Sequence, residues 1–85
     1  MKLYDKTRWL DGYATWQGKR KGVTVSVSQD KYRHNRWYWH VSEPFYYSSL
    51  RREEDGVGDP TFETKEQAAA DAVNWINAKM KEGNT

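Results

Sequence analysis

The 85-residue chain contains no cysteine, so neither a disulfide framework nor a thiolate metal site can hold it together. Aliphatic residues are scarce too: Leu, Ile, Val and Phe number 12 of 85, a share that alone would signal disorder. No apolar run is long enough to span a membrane, and Met1-Lys2-Leu3-Tyr4-Asp5 lacks the apolar core of a signal peptide. These absences point to the cytoplasm, with no membrane partner.

Aromatic residues compensate for the missing aliphatics. Five Trp and six Tyr each carry about 150–250 Å² of surface to bury, and a net charge of only +2 does not oppose collapse. A folded domain with an aromatic-heavy core is expected. At this length residues 1–85 make a single domain with one limited core. The small net charge hides an asymmetry. Residues 1–42 hold nine Lys/Arg against three acids, and residues 43–85 hold five against nine. Such a bipolar chain suggests an oriented surface.

Val23-Thr-Val-Ser-Val-Ser28 alternates β-branched apolar with small polar residues, the period-two pattern of a half-buried strand. Trp37-Tyr-Trp-His-Val-Ser42 repeats it, with Trp37, Trp39 and Val41 inward and Tyr38, His40 and Ser42 outward. The polar stretch 29–36 suits a hairpin connection between them. Upstream, Gly12–Gly18 reads as a third strand, with Ala14 and Trp16 inward and Tyr13, Thr15 and Gln17 outward. Gly18-Lys-Arg-Lys-Gly22 is then expected to turn the chain. The sheet is expected over about 10–43, and 44–60 reads as an irregular loop in which Phe45-Tyr46-Tyr47 could pair briefly, giving three or four strands.

A C-terminal helix is predicted over about 64–82. Thr64-Lys-Glu-Gln67 has the form of a capping box, and Gly83 is placed to end the helix. Ala69, Ala72, Val73, Ile76 and Met80 fall on one apolar stripe, and the alanines at 68–70 would let the helix lie close to a sheet filled with Trp. The fold class expected is therefore α+β: an antiparallel sheet packed on one C-terminal α-helix.

Thr61-Phe-Glu-Thr-Lys-Glu-Gln-Ala-Ala69 resembles the last-strand-to-helix junction of plant ethylene-response-factor DNA-binding domains. With Trp37–Val41 and Trp75 it also resembles the arm-type DNA-binding domain of phage and transposon integrases. Those families pack a three-stranded antiparallel sheet on one helix and lay the sheet in the DNA major groove. The resemblance implies the same fold, DNA as partner, and an origin in a phage or mobile element. It covers roughly residues 22–78, and it assigns no base-contacting residue.

Two features of the sequence itself point the same way. The outer face would carry Tyr13, Thr15, Gln17, Thr24, Ser26, Ser28, Tyr38 and His40, all hydrogen-bonding and none with a fixed charge, which suits base edges or a protein surface. The hairpin tips Lys19-Arg20-Lys21 and Lys31, Arg33, Arg36 would project from opposite ends of the sheet, about 20 Å apart, where they could grip phosphates. Good β-propensity and solubility explain the same residues more simply.

Chemistry is sparse. His34 and His40 are the only histidines and sit on different elements; a metal site is not expected. No nucleophile motif, acid–base set or phosphate loop appears, so neither catalysis nor a cofactor is expected. Trp16, Trp37 and Trp39 are expected in the core, while Trp9 falls outside any pattern. The expected function is non-enzymatic DNA binding through the outer face and basic tips. The alternative is a phage-type accessory protein that inhibits a host or defence protein through that face and the 44–60 loop. A structural subunit pairing through a strand edge is a third possibility.

Overall fold

A computed structural model describes residues 1–7, 14–33, 35–53, 56 and 58–83. Trp9, Tyr13 and His34 lie outside the described residues. Five antiparallel strands form one sheet in sequence order: β1 (Tyr4–Asp5), β2 (Thr15–Arg20), β3 (Val23–Gln29), β4 (Trp37–Val41) and β5 (Tyr47–Ser48). A 3-10 helix over Ser49–Glu53 follows, and α1 runs from Lys65 to Gly83. The α+β class agrees with the sequence pattern, and β5 overlaps the brief pairing expected at Phe45-Tyr46-Tyr47. The fifth strand is β1, which at two residues is too short to display any periodicity.

The central strands follow their alternation. Trp16 pairs with Val27 and Gly18 with Val25, while Val27 opposes Trp39 and Val25 opposes Val41. That register sets Trp16, Val23, Val25, Val27, Trp37, Trp39 and Val41 on one face and Thr15, Gln17, Thr24, Ser26, Ser28, Tyr38 and His40 on the other. Trp39 and the four valines are essentially inaccessible.

The β2–β3 turn is tighter than the sequence suggested. Pairing continues to Arg20↔Val23, leaving only Lys21 and Gly22, both at positive φ (52° and 81°), as the hairpin loop. That is the backbone of a two-residue type I′ turn, which matches the twist of the flanking strands. Gly18 is thus no turn residue. It lies within β2, where the Lys2 carbonyl and the Met1 side chain occupy the space a Cβ would need.

Helix α1 starts as expected. The Thr64 hydroxyl accepts from the Gln67 amide at 3.1 Å, and the Gln67 side chain reaches back to the Glu63 amide at 3.1 Å, one residue earlier than in the standard capping box. The buried stripe is rotated from the expected one. Ala68, Ala69, Ala72 and Ile76 are buried against the sheet, whereas Val73 is only half-buried. Trp75 accounts for the rotation. Its ring stacks on Tyr47 (4.7 Å, 9° between planes) and meets Phe45 edge-on, turning the helix toward β5.

Part of the stretch 44–60 is drawn onto the sheet through β5 and the 3-10 helix. Trp39 donates its amide to Ser49 Oγ (3.1 Å), which donates in turn to the Trp39 carbonyl (3.3 Å). Phe62 and Trp37 exchange two backbone hydrogen bonds of 2.8 Å. Together with the Val41↔Tyr47 pairing, these contacts satisfy the far side of β4 along its length.

Candidate nucleic-acid interface

The solvent-facing side of the sheet is built in rows. Tyr4, Gln17, Ser26, His40 and Ser48 are paired in succession across all five strands. A second row joins Thr15, Ser28 and Tyr38; a third begins with Lys19 and Thr24. Serines at the centre let neighbouring side chains close over them, so Ser26 and Ser28 are 4% and 6% exposed although they face outward. Gln17 Nε2 donates to Ser26 Oγ (3.1 Å), and the Thr15 and Ser28 hydroxyls share a 3.2 Å bond. The floor is therefore a connected hydrogen-bonding surface.

It is also uncharged near neutral pH. Partial burial pulls the His40 imidazole below its ordinary 6.5, which favours the neutral ring. Positive charge gathers on one margin. Lys2, Lys6 and Lys19 line a shallow concavity together with Tyr4, Gln17 and Thr24. Of these, Lys2, Tyr4 and Lys6 carry no clear pattern in the sequence. The signal was present as the alternation Lys2-Leu3-Tyr4, with Leu3 packed on the core, but it is too short to stand out. The opposite margin is a groove of Tyr38, His40, Val41, Tyr46, Tyr47, Ser48 and Arg51. There Arg51 lies over the Tyr47 ring at 5.4 Å, and Glu43 accepts the Tyr46 hydroxyl at 2.7 Å.

The basic tips fare unequally. Lys21 is exposed in its turn, and Lys19 is exposed on the outer face. Arg20 is not part of a tip: its register puts it on the helix side, where Nε donates to Asn77 Oδ1 at 3.3 Å. At the other end, Arg33 pairs with Asp59 (3.1 Å) and Asp30 (3.5 Å). Arg36 is half-buried and donates to the Thr61 hydroxyl and carbonyl at 2.9 and 2.7 Å. These two arginines tie the β3–β4 connection to the segment entering α1. Lys31 remains exposed beside the Tyr32 ring. Asp59, which the Thr61 hydroxyl and then Arg33 hold as a carboxylate, has its pKa lowered to about 2.

Of the positions singled out in the sequence, the structure thus groups Thr15, Thr24, Ser26, Tyr38 and His40 with Lys19 on one face. It separates Arg20, Arg33 and Arg36 from them. Among the described residues, no three His, Asp or Glu side chains are grouped to hold a metal ion, and no helix is long and apolar enough to cross a membrane. Comparison with known protein families, curated proteins and solved structures yields no significant match.

Proposed function

We propose that the protein is a small non-enzymatic DNA-binding module that engages nucleic acid with the outer face of its sheet. One observation carries this reading: a floor of uncharged hydrogen-bonding side chains is bordered by Lys2, Lys6 and Lys19 in a shared concavity. Hydroxyl, amide and imidazole groups suit base edges, while lysines suit phosphates. The resemblance of residues 61–69 to integrase and ethylene-response-factor domains supports it, and suggests a phage or mobile element as source and a host cytoplasm as setting. The lysine margin replaces Arg20, Arg33 and Arg36 as the phosphate-binding element, because those arginines are already engaged.

Salt-titrated binding to a labelled duplex tests the reading. Binding at low ionic strength should weaken steeply as salt rises. Replacing Lys2, Lys6 and Lys19 together by Gln should flatten the log–log slope by about 2–3, since each phosphate contact contributes about 0.7–0.9. Absence of salt-sensitive binding to either duplex or single strand would end the proposal.

A protein partner is the second reading. Tyr46 and Leu50 are 66% and 39% exposed beside the Arg51–Tyr47 groove, an aromatic and cationic patch of the kind protein interfaces use. Capture of one stoichiometric protein from nuclease-treated lysate, lost in Tyr46→Ala, would favour it.

A further inference from the structure

Resting on the nucleic-acid reading above, we propose that the ligand is an extended single strand, its sugar–phosphate backbone along the β1–β2 margin and its bases turned across the β3–β4 rows.

Width is the first argument. The row from Tyr4 through Gln17, Ser26 and His40 to Ser48 crosses five strands, which at a spacing of about 4.8 Å makes a face about 19 Å across. A major groove is only about 12 Å wide. A duplex would have to seat the central strands while β1 and β5 met its phosphate ridges.

Charge decides whether that is acceptable. Both walls of a groove are phosphate, so a sheet seated there needs cations on both margins. Among the described residues, Lys2, Lys6 and Lys19 gather on one margin. The other offers Arg51, held over Tyr47, and the turn beyond β4 carries Glu43, whose like charge would repel a phosphate ridge. A single margin with clustered lysines matches one backbone.

The rest of the face suits unpaired bases. Tyr4 is 55% exposed beside the lysines; neutral His40 lies in the same row and Tyr38 in the next. Planar rings next to a cationic track are what a sequence-tolerant single-strand site requires, since every base has a face to stack. Gln17 gives one amide proton to Ser26, and a side-chain amide on this face can also hydrogen-bond the edge of an unpaired base.

The experiment compares a labelled single-stranded DNA of about ten nucleotides, within the usual site size, with its duplex at the same low salt. The single strand should bind at least about tenfold more tightly. Tyr4→Ala, on an exposed edge strand, should lower single-strand affinity about 5- to 100-fold, the usual worth of one stacked base, whereas Tyr4→Phe should retain it. The lysine-to-Gln triple variant should flatten the salt slope for the single strand by about 2. Duplex binding tighter than single-strand binding, or a single-strand affinity unmoved by Tyr4→Ala, overturns the single-strand proposal and leaves nucleic-acid binding standing. Failure of both probes to bind overturns both.

Discussion

Trp39 shows how one side chain organises this protein. Its ring is fully buried and lies against Tyr47 and Trp75. Its indole N–H donates to Asp71 at 2.9 Å, and Arg52 donates to the same carboxylate oxygen at 2.6 Å while lying over the Trp39 ring. Asp71 thus satisfies a buried donor and a half-buried cation at once. Asp71→Ala should cost about 1–3 kcal/mol in chemical denaturation, because the indole N–H loses its partner; a change below about 0.5 kcal/mol would show that water substitutes for it. The sequence offered Trp39 as core through simple alternation. Asp71 was not legible, since its partners lie 32 and 19 residues away.

Asp59 couples the fold to pH. Its carboxylate is lowered from 3.8 to about 2, first by the Thr61 hydroxyl and then by Arg33. The folded state therefore binds this proton more weakly than the unfolded state. The resulting stability is fully present above about pH 4 and disappears as pH falls toward about 2. Replacing Asp59 by Asn should flatten the thermal-midpoint-versus-pH curve in that window, leaving the neighbouring region above pH 5 parallel to the wild type. Arg33 and Arg36 look like a basic tip in the sequence because Asp59 and Thr61 are more than 20 residues distant. Long-range ion pairing is what a count of local charges omits.

Among the elements, periodicity places the strands β3 and β4 and the start of the helix, though not which helix face is buried. β3, β4 and the start of α1 each combine periodicity with a boundary residue, and each stands where its pattern put it. Thr64→Ala should lower stability by about 1 kcal/mol through loss of the cap on Gln67, measured by urea unfolding. Gly22→Val should cost more than Gly22→Ala, because a β-branched residue tolerates a φ of 81° least. Equal losses for the two would mean the turn relaxes. Gly18 and Arg20 were misplaced for a shared reason: three basic residues between two glycines look like a loop, but the strand continues through them until Lys21. Backbone pairing with Val23 and Val25 overrides that composition.

For the whole molecule, the bipolar charge seen along the sequence resolves into a spatial arrangement. Among the described N-terminal cations, Lys2, Lys6 and Lys19 form a margin, Arg20, Arg33 and Arg36 clasp other elements, and Lys21 and Lys31 stay exposed, while acids such as Glu66 and Asp71 ride on the helix behind the sheet. A ligand approaching the outer face therefore meets lysines first. Steering of this kind should make association faster at low salt, with dissociation changing less. Stopped-flow rates for the wild type and the Lys2, Lys6, Lys19 variant would show the difference. If the variant lost affinity entirely through dissociation, the lysines would be contacts without a steering role.

The two outermost strands, each of two residues, have a consequence for assembly. A sheet rim recruits another chain in proportion to the rungs it offers, and each net backbone hydrogen bond is worth only about 0.5–1.5 kcal/mol. Two rungs fall short of the roughly 4–15 kcal/mol that immobilising a second molecule consumes. Brevity at both rims thus works as a terminator, sparing the protein the stacking to which longer exposed strands are prone. Sedimentation at micromolar concentration should find a monomer, and lengthening the pairing at β1 would be the most direct way to make the protein polymerise.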